Sequence, residues 1–173
     1  FIVLVILLIL YIVYENHTRN KELLKYAQTD ALTGLYNKET TEQLTDELLS
    51  EDENKSHAFL ILDVDCFKQI NDIYGHAVGD IVLQKFGKLL KGTFREGDIL
   101  GRIGGDEFGV IMKNIQTKDI AMKKAEELLA KTQAYKIDEL KGNNISISIG
   151  ISTAPQDGDC YICLLYTSPS PRD

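Results

Sequence analysis

The sequence predicts an α+β or α/β sandwich, with helices packed on one sheet, and three observations lead there. The runs "HAFLILDVD", "EFGVIMK" and "NISISIGIST" have strand length and strand-like composition. "DIVLQKFGKLLKGTF" and "KDIAMKKAEELLAKTQAY" carry apolar residues at helical spacing. The two kinds of segment are interleaved, and 173 residues suffice for one domain with a real core.

The first segment, "FIVLVILLILYIVY", holds no charged residue from Phe1 to Tyr14. As a helix it covers about 21 Å, less than the roughly 20 residues a bilayer span needs. We read residues 1–14 as the C-terminal part of a transmembrane helix that begins upstream, the alternative being a buried core helix. No basic leader precedes the run and no small-residue cleavage site follows it, which argues against a signal peptide. Arg19, Lys21 and Lys25 then place the rest of the chain in the cytoplasm, at the inner membrane. Residues 15–29 read as a juxtamembrane connector helix, with Leu23, Leu24 and Ala27 at helical spacing.

"TDALTGLYNK" interrupts that helix, and Asn37 is placed to cap the next one, which carries Leu44, Leu48 and Leu49. "HAFLILDVD" is an apolar run that turns acidic at its end, as a buried strand delivering carboxylates to a site would. "FKQINDIYG" and "DIVLQKFGKLLKGTF" follow as helices, the second with Ile81, Val82, Phe86, Leu89 and Leu90 on one face. "DILGRI" and "EFGVIMK" flank Gly104 and Gly105, a hairpin whose glycines permit positive φ. The final "CLLYTSPSPRD", residues 163–173, continues no period. Its reverse translation resembles a transposase sequencing adapter, so we read it as non-native rather than as a disordered tail.

Charge and cysteines narrow the function. A net charge of -7 disfavours non-specific nucleic-acid binding, and a phosphate ligand would need metal ions. Cys66, Cys160 and Cys163 are expected to form neither a disulfide framework nor a zinc site, which fits a reducing compartment.

The stretch "LDVDCFKQINDIYGHAVGD" contains Asp63, Asp65, Asp72 and Asp80. It is no EF-hand, since Phe67 and Lys68 occupy the fifth and sixth loop positions. Two readings remain: Asp63 and Asp65 cap the helix beginning near Cys66, or they sit at a hard-cation site on a strand end. A cation site needs a second acidic position, and Asp106 and Glu107 are the candidates. Convergence follows if the hairpin pairs beside the strand that ends at Asp65.

"DALTGLYNK", "LDVDCFKQINDIYGHAVGD", "RIGGDEF" and "SISIGIS" occur in the order and approximate spacing of the GGDEF domain. Over residues 30–162 the chain resembles this catalytic domain of diguanylate cyclases. The resemblance implies an α+β fold, a central, mostly antiparallel sheet wrapped by helices, similar to nucleotidyl cyclases and polymerase palms. It implies that two GTP condense to cyclic di-GMP with release of two pyrophosphates, at a homodimer interface and with Mg²⁺ or Mn²⁺. By position Asp63, the Val64 carbonyl and Asp106 match metal ligands. Glu107 matches a catalytic acid, with Asp106 beside it; Lys68, in "FKQIND", either contacts phosphate or balances the acids in catalysis, or is a surface helix lysine. Asn71 and Asp80 match the readers of the guanine edge, and Gly104 and Gly105 allow close approach to the nucleotide. Arg95 and Asp98, in "REGD", match an inhibitory site for the product. After "SIGISTAPQDGD" the family continues with a helix whose Lys and Arg bind triphosphate; this chain departs there. The alternative is a catalytically inactive GGDEF module that binds GTP or cyclic di-GMP and relays a signal.

Overall fold

The computed structural model describes residues 2–51 and 55–167, and in the first helix leaves aside the side chains of residues 2–5, 7–8 and 20–25. Along the chain run α1 (Ile2–Gln28), α2 (Lys38–Glu51), β1 (His57–Val64), α3 (Phe67–Tyr74), α4 (His76–Thr93), β2 (Ile99–Arg102), β3 (Glu107–Met112), α5 (Lys118–Ala134), β4 (Ile147–Ala154) and α6 (Tyr161–Thr167). The four strands form one antiparallel sheet in the order β2-β3-β1-β4. The expected α+β class and helix-covered antiparallel sheet are therefore present.

Alternation along β1 builds two cores. Ala58, Leu60, Leu62 and Val64 face a layer that includes Val82, Leu83, Phe86 and Leu90 of α4 and Ala121, Ala125 and Leu128 of α5. Phe59 and Ile61 face the other way, with Leu49 of α2 and Tyr161 and Leu164 of α6. Edge-to-face ring pairs tie the layers together: Phe86 with Phe108 at 4.9 Å and Phe59 with Tyr161 at 5.7 Å. Gly101 lets α2 lie close on β2, since a Cβ there would come 2.0 Å from Thr41 Oγ1.

Local features have identifiable physical causes. The Asn37 side chain accepts the Thr40 N–H at 2.9 Å, the expected N-cap of α2. The α4 helix starts at His76, four residues before Asp80, because Gly75 at φ 86 and ψ 156 breaks the chain direction there. Residues 2–28 form one continuous helix, with no break between residues 14 and 15. Among the described residues no helix is long and apolar enough to cross a membrane. The side chains of Lys21, Leu23, Leu24 and Lys25 lie outside the described residues.

Two expectations are corrected. Gly104 and Gly105 do not adopt positive φ; the positive-φ glycines are Gly34, Gly75 and Gly142. What Gly104 supplies is space, because a Cβ there would come 2.6 Å from Glu107 Oε2. Cys160 and Cys163 are three residues apart around the first turn of α6 and pair as a disulfide, whereas Cys66 is free and exposed. The helix α6 runs through residue 162, and its Leu164 is buried, with its carbonyl accepting the Ser152 hydroxyl at 3.0 Å.

Candidate active site

Strand register brings the acids together. β1 pairs with β3, and Asp63 stands directly opposite Glu107. Alternation sends both side chains to the face shared by Phe59, Ile61 and Ile111, beyond the end of that core. Asp106 is one step off this pair, and its carbonyl accepts the Val64 N–H at 3.1 Å. The hairpin thus pairs beside β1 as the convergence required, with Glu107 rather than Asp106 opposite Asp63. Asp63 is only 4% exposed, a placement that fits a charged group meant for a counter-ion.

The donors are oxygens on a rigid strand end and its neighbouring hairpin, which suits a hard cation such as Mg²⁺ or Mn²⁺. Asp63, Asp106 and Glu107 do not gather as a tight three-carboxylate cluster. Among the described residues the trio of His, Cys, Asp or Glu ligand atoms within 4.8 Å of one another is Asp159, Cys160 and Cys163, and its two sulfurs are joined to each other.

The capping reading of Asp65 fails. The α3 N-cap position is Cys66, in the left-handed region at φ 55 and ψ 28, with no side-chain cap. The Asp65 carboxylate instead accepts the hydroxyls of Ser146 and Ser148.

Helices α3 and α4 form a tight pair around Gly75, whose N–H donates to the Asn71 carbonyl at 2.9 Å. A Cβ on Gly79 would come 1.9 Å from Asn71 Oδ1, so the absent side chain lets Asn71 lie against α4 one residue before Asp80. Asn71 and the exposed Asp80 thus share the mouth of this helix pair. Lys68 is exposed on the first turn of α3, beside the end of β1.

The hairpin is clamped by a residue whose role the motifs alone do not reveal. Arg102 donates to the Gly105 carbonyl through Nη2 at 2.8 Å and Nε at 3.2 Å, while Nη1 reaches Asp30 Oδ2 at 3.2 Å. Asp30 also accepts the Thr33 N–H and hydroxyl, at 2.8 and 2.7 Å. Burial pushes the Asp30 carboxyl up, but the Thr33 hydrogen bonds and the Arg102 charge outweigh it and leave its pKa below the ordinary value. The sequence signal was the recurrence of an acid in "TDALTG" and a base in "GRIGG", too common to read alone.

Arg95 and Asp98 meet, though not as an open fork. Asp98 is 8% exposed and accepts the backbone N–H groups of Arg95 and Lys113, each at 3.1 Å. The Arg95 Nη2 reaches Asp98 Oδ1 at 3.4 Å and the Lys113 carbonyl at 3.0 Å. Asp98 therefore holds Arg95 in place, and Arg95 presents the exposed surface. Beside it lies a cavity of about 700 Å³ bordered by Gln28, Leu35, Tyr36, Lys91, Arg95 and Leu100.

Tyr161, under the same sheet face, is buried among Phe59 and α2. Burial, with the charges of Glu42, Glu107 and Asp46, pushes its phenol up to about 12.

Carboxylates of two neighbouring strands at one end of a helix-covered antiparallel sheet define the α+β class of this domain. Within it the chain belongs to the family of the diguanylate cyclase GGDEF domain, whose model matches residues 27–166. It is similar to diguanylate cyclase TpbB of Pseudomonas aeruginosa, 35% identical over 150 residues that make up 85% of this chain and 34% of that protein. It is also similar to the response regulator PleD of Caulobacter vibrioides, 35% identical over 88% of this chain and 35% of that protein. The chain thus spans about a third of these relatives' length. Among solved structures, the GGDEF domain of TpbB matches with a TM-score of 0.75 and 34% identity, over 80% of this chain and 82% of that one. The coiled coil and GGDEF domain of DgcB from Caulobacter crescentus, in complex with c-di-GMP, matches with a TM-score of 0.81 over 89% of this chain and 83% of that one. At 21% identity the DgcB likeness concerns the fold alone.

Proposed function

We propose that this domain is a diguanylate cyclase that joins two GTP into cyclic di-GMP. The observation that carries the reading is the register of Asp63 with Glu107, at the sheet end next to Asn71 and Asp80. In each half-reaction the 3'-hydroxyl of one GTP attacks the α-phosphorus of the other. The new O–P bond forms as the bond to pyrophosphate breaks, and the hydroxyl proton is lost. Two half-sites must therefore face each other in a homodimer.

Asp63, the Val64 carbonyl and Asp106 would hold Mg²⁺ or Mn²⁺, a reading that the pairing of Asp63 with Glu107 supports. The bound cation supplies acidity to the attacking hydroxyl and neutralises phosphate charge in an in-line displacement. Glu107 takes the catalytic role beside Asp106, and Lys68 offers charge to phosphate. Asp80 accepts from the guanine N1–H and exocyclic amine, and Asn71 adds an amide contact. Gly104 and Gly105 keep the hairpin free of side chains where the nucleotide approaches. Arg95, held by Asp98, is assigned to product inhibition through its exposed guanidinium.

The apolar start of α1 is assigned to an anchor at the inner membrane, with the catalytic domain in the cytoplasm. Ile9 to Tyr14 are 47–70% exposed, an apolar surface that calls for cover.

The test is direct. The chain is incubated with GTP and Mg²⁺, and cyclic di-GMP is sought by mass spectrometry, with Asp63→Asn and Asp106→Asn as controls. Product that disappears in both variants, with unchanged circular dichroism, supports the reading; GTP binding without product favours a relay module instead.

A further inference from the structure

Asp65 lies two residues from Asp63, and by charge alone it competes for the same cation. Its geometry points elsewhere. Oδ1 accepts the Ser148 hydroxyl at 2.6 Å and Oδ2 accepts the Ser146 hydroxyl. Hydrogen bonds to an ionised acceptor are roughly twice as strong as neutral ones, so a swing toward a cation would give up two strong bonds.

The backbone is pinned as well. The Asp65 N–H donates to the Ser146 carbonyl at 3.0 Å, and one residue earlier the Val64 N–H donates to the Asp106 carbonyl. Successive peptides are thus tied to the residue preceding β4 on one side and to the hairpin on the other. The next residue, Cys66, holds a left-handed conformation that a Cβ disfavours and that persists only where the surroundings impose it. Ser148 pairs with Asp63 in the register of β1 with β4, so the hydroxyl that holds Asp65 stands on the strand beside Asp63.

We infer that Asp65 is a positioning residue and not a metal ligand: Ser146 and Ser148 hold its carboxylate so that the Val64–Cys66 turn presents Asp63 and the Val64 carbonyl and starts α3 at a fixed distance from the hairpin. The inference rests on the cyclase reading above. Loss of the serine hydroxyls releases the turn without touching any ligand atom. An orienting shell of this kind changes metal affinity about tenfold or more when removed.

The experiment uses the full chain and Mn²⁺ in the presence of GTP, with uptake followed by electron paramagnetic resonance. The Ser146→Ala/Ser148→Ala variant is expected to bind Mn²⁺ about tenfold more weakly and to show a broadened bound-ion spectrum, with little loss of thermal stability. Ser148→Thr, which keeps a hydroxyl, is expected to retain wild-type affinity, and Asp63→Asn is expected to lose binding. If the double-alanine variant binds as wild type, or if Asp65→Asn is as damaging as Asp63→Asn while the serine variant is harmless, the inference is overturned and the cyclase reading stands. A wild-type chain that takes up no Mn²⁺ with GTP overturns both.

Discussion

On the β2 side of the hairpin, Arg102 ties the Gly105 carbonyl to Asp30, just after α1. On the β1 side, Asp65 ties the strand end to Ser148 of β4 and to Ser146 just before that strand. The first fastening is an ion pair between side chains 16% and 22% exposed, and it joins the hairpin to a segment outside the sheet. The second joins two strands already paired through their backbones, using neutral hydroxyls. The contrast assigns them different work. A charged link joins the segment after α1 to the hairpin carrying Asp106 and Glu107, whereas the serine link keeps β1 and β4 in one frame.

The comparison breaks most visibly at Arg102. Arg102→Ala removes the ion pair and both contacts to the Gly105 carbonyl, and hydrogen bonds to charged groups contribute roughly 1.5–3 kcal/mol. For a domain of this size that predicts a melting temperature lower by about 4–8 °C, with slower cyclic di-GMP formation because the hairpin loses its clamp. A melting temperature within about 1 °C of wild type would show the link to be ornamental. Salt sharpens the point: at 1 M the screening length falls to about 3 Å, so the gap between wild type and variant should narrow.

A smaller effect is expected at Thr33. Its hydroxyl donates to Asp30 at 2.7 Å, and Thr33→Val removes it while the backbone N–H bond remains. The expected loss is about 1 kcal/mol in denaturant unfolding. It should not add fully to that of Arg102→Ala, because both act on one carboxylate; full additivity would mean that Asp30 is not their shared partner. Smaller still is the stability effect of Ser146→Ala/Ser148→Ala, about 0.5–1 kcal/mol, since Ser146 is exposed and water replaces part of what is lost. Unlike the Arg102 effect, it should change little with added salt, and equal salt sensitivity would erase the distinction.

Much of this was legible in the residues. Period and length gave the strands and helices, because one face of each is buried and must be apolar: Phe59 and Ile61 alternate with Leu60 and Leu62 on β1. The four motifs gave the acids, yet not which acid meets which. That Glu107 rather than Asp106 faces Asp63 is a matter of register, which a one-residue slip would reverse. Partners 72 to 83 residues apart, such as Arg102 with Asp30 or Ser148 with Asp65, leave no local trace, because their side chains are common surface types. The glycines misled for a related reason: at Gly104 glycine is required by the Glu107 side chain folded over it, not by backbone torsion.

Acid offers the finest probe of the charged fastening. The Asp30 carboxyl has a folded-state pKa below its ordinary 3.8, burial being outweighed by Thr33 and Arg102. A carboxyl depressed in the folded state contributes stability that is fully present above the unfolded value. That contribution is lost as pH falls through the folded value. Wild-type stability should therefore decline as pH drops from about 5 to below 3.8. Glu127, Glu139 and Asp157 are also depressed, and they add decline of the same sign. The part due to Asp30 is isolated by difference: those three groups titrate alike in wild type and Arg102→Ala, so subtraction of their urea-unfolding free energies cancels them. The difference should be largest near neutral pH and shrink as acid protonates Asp30. Parallel curves from pH 5 to pH 3 would place the Arg102 contribution in its Gly105 contacts alone, leaving the hairpin clamped without reference to α1.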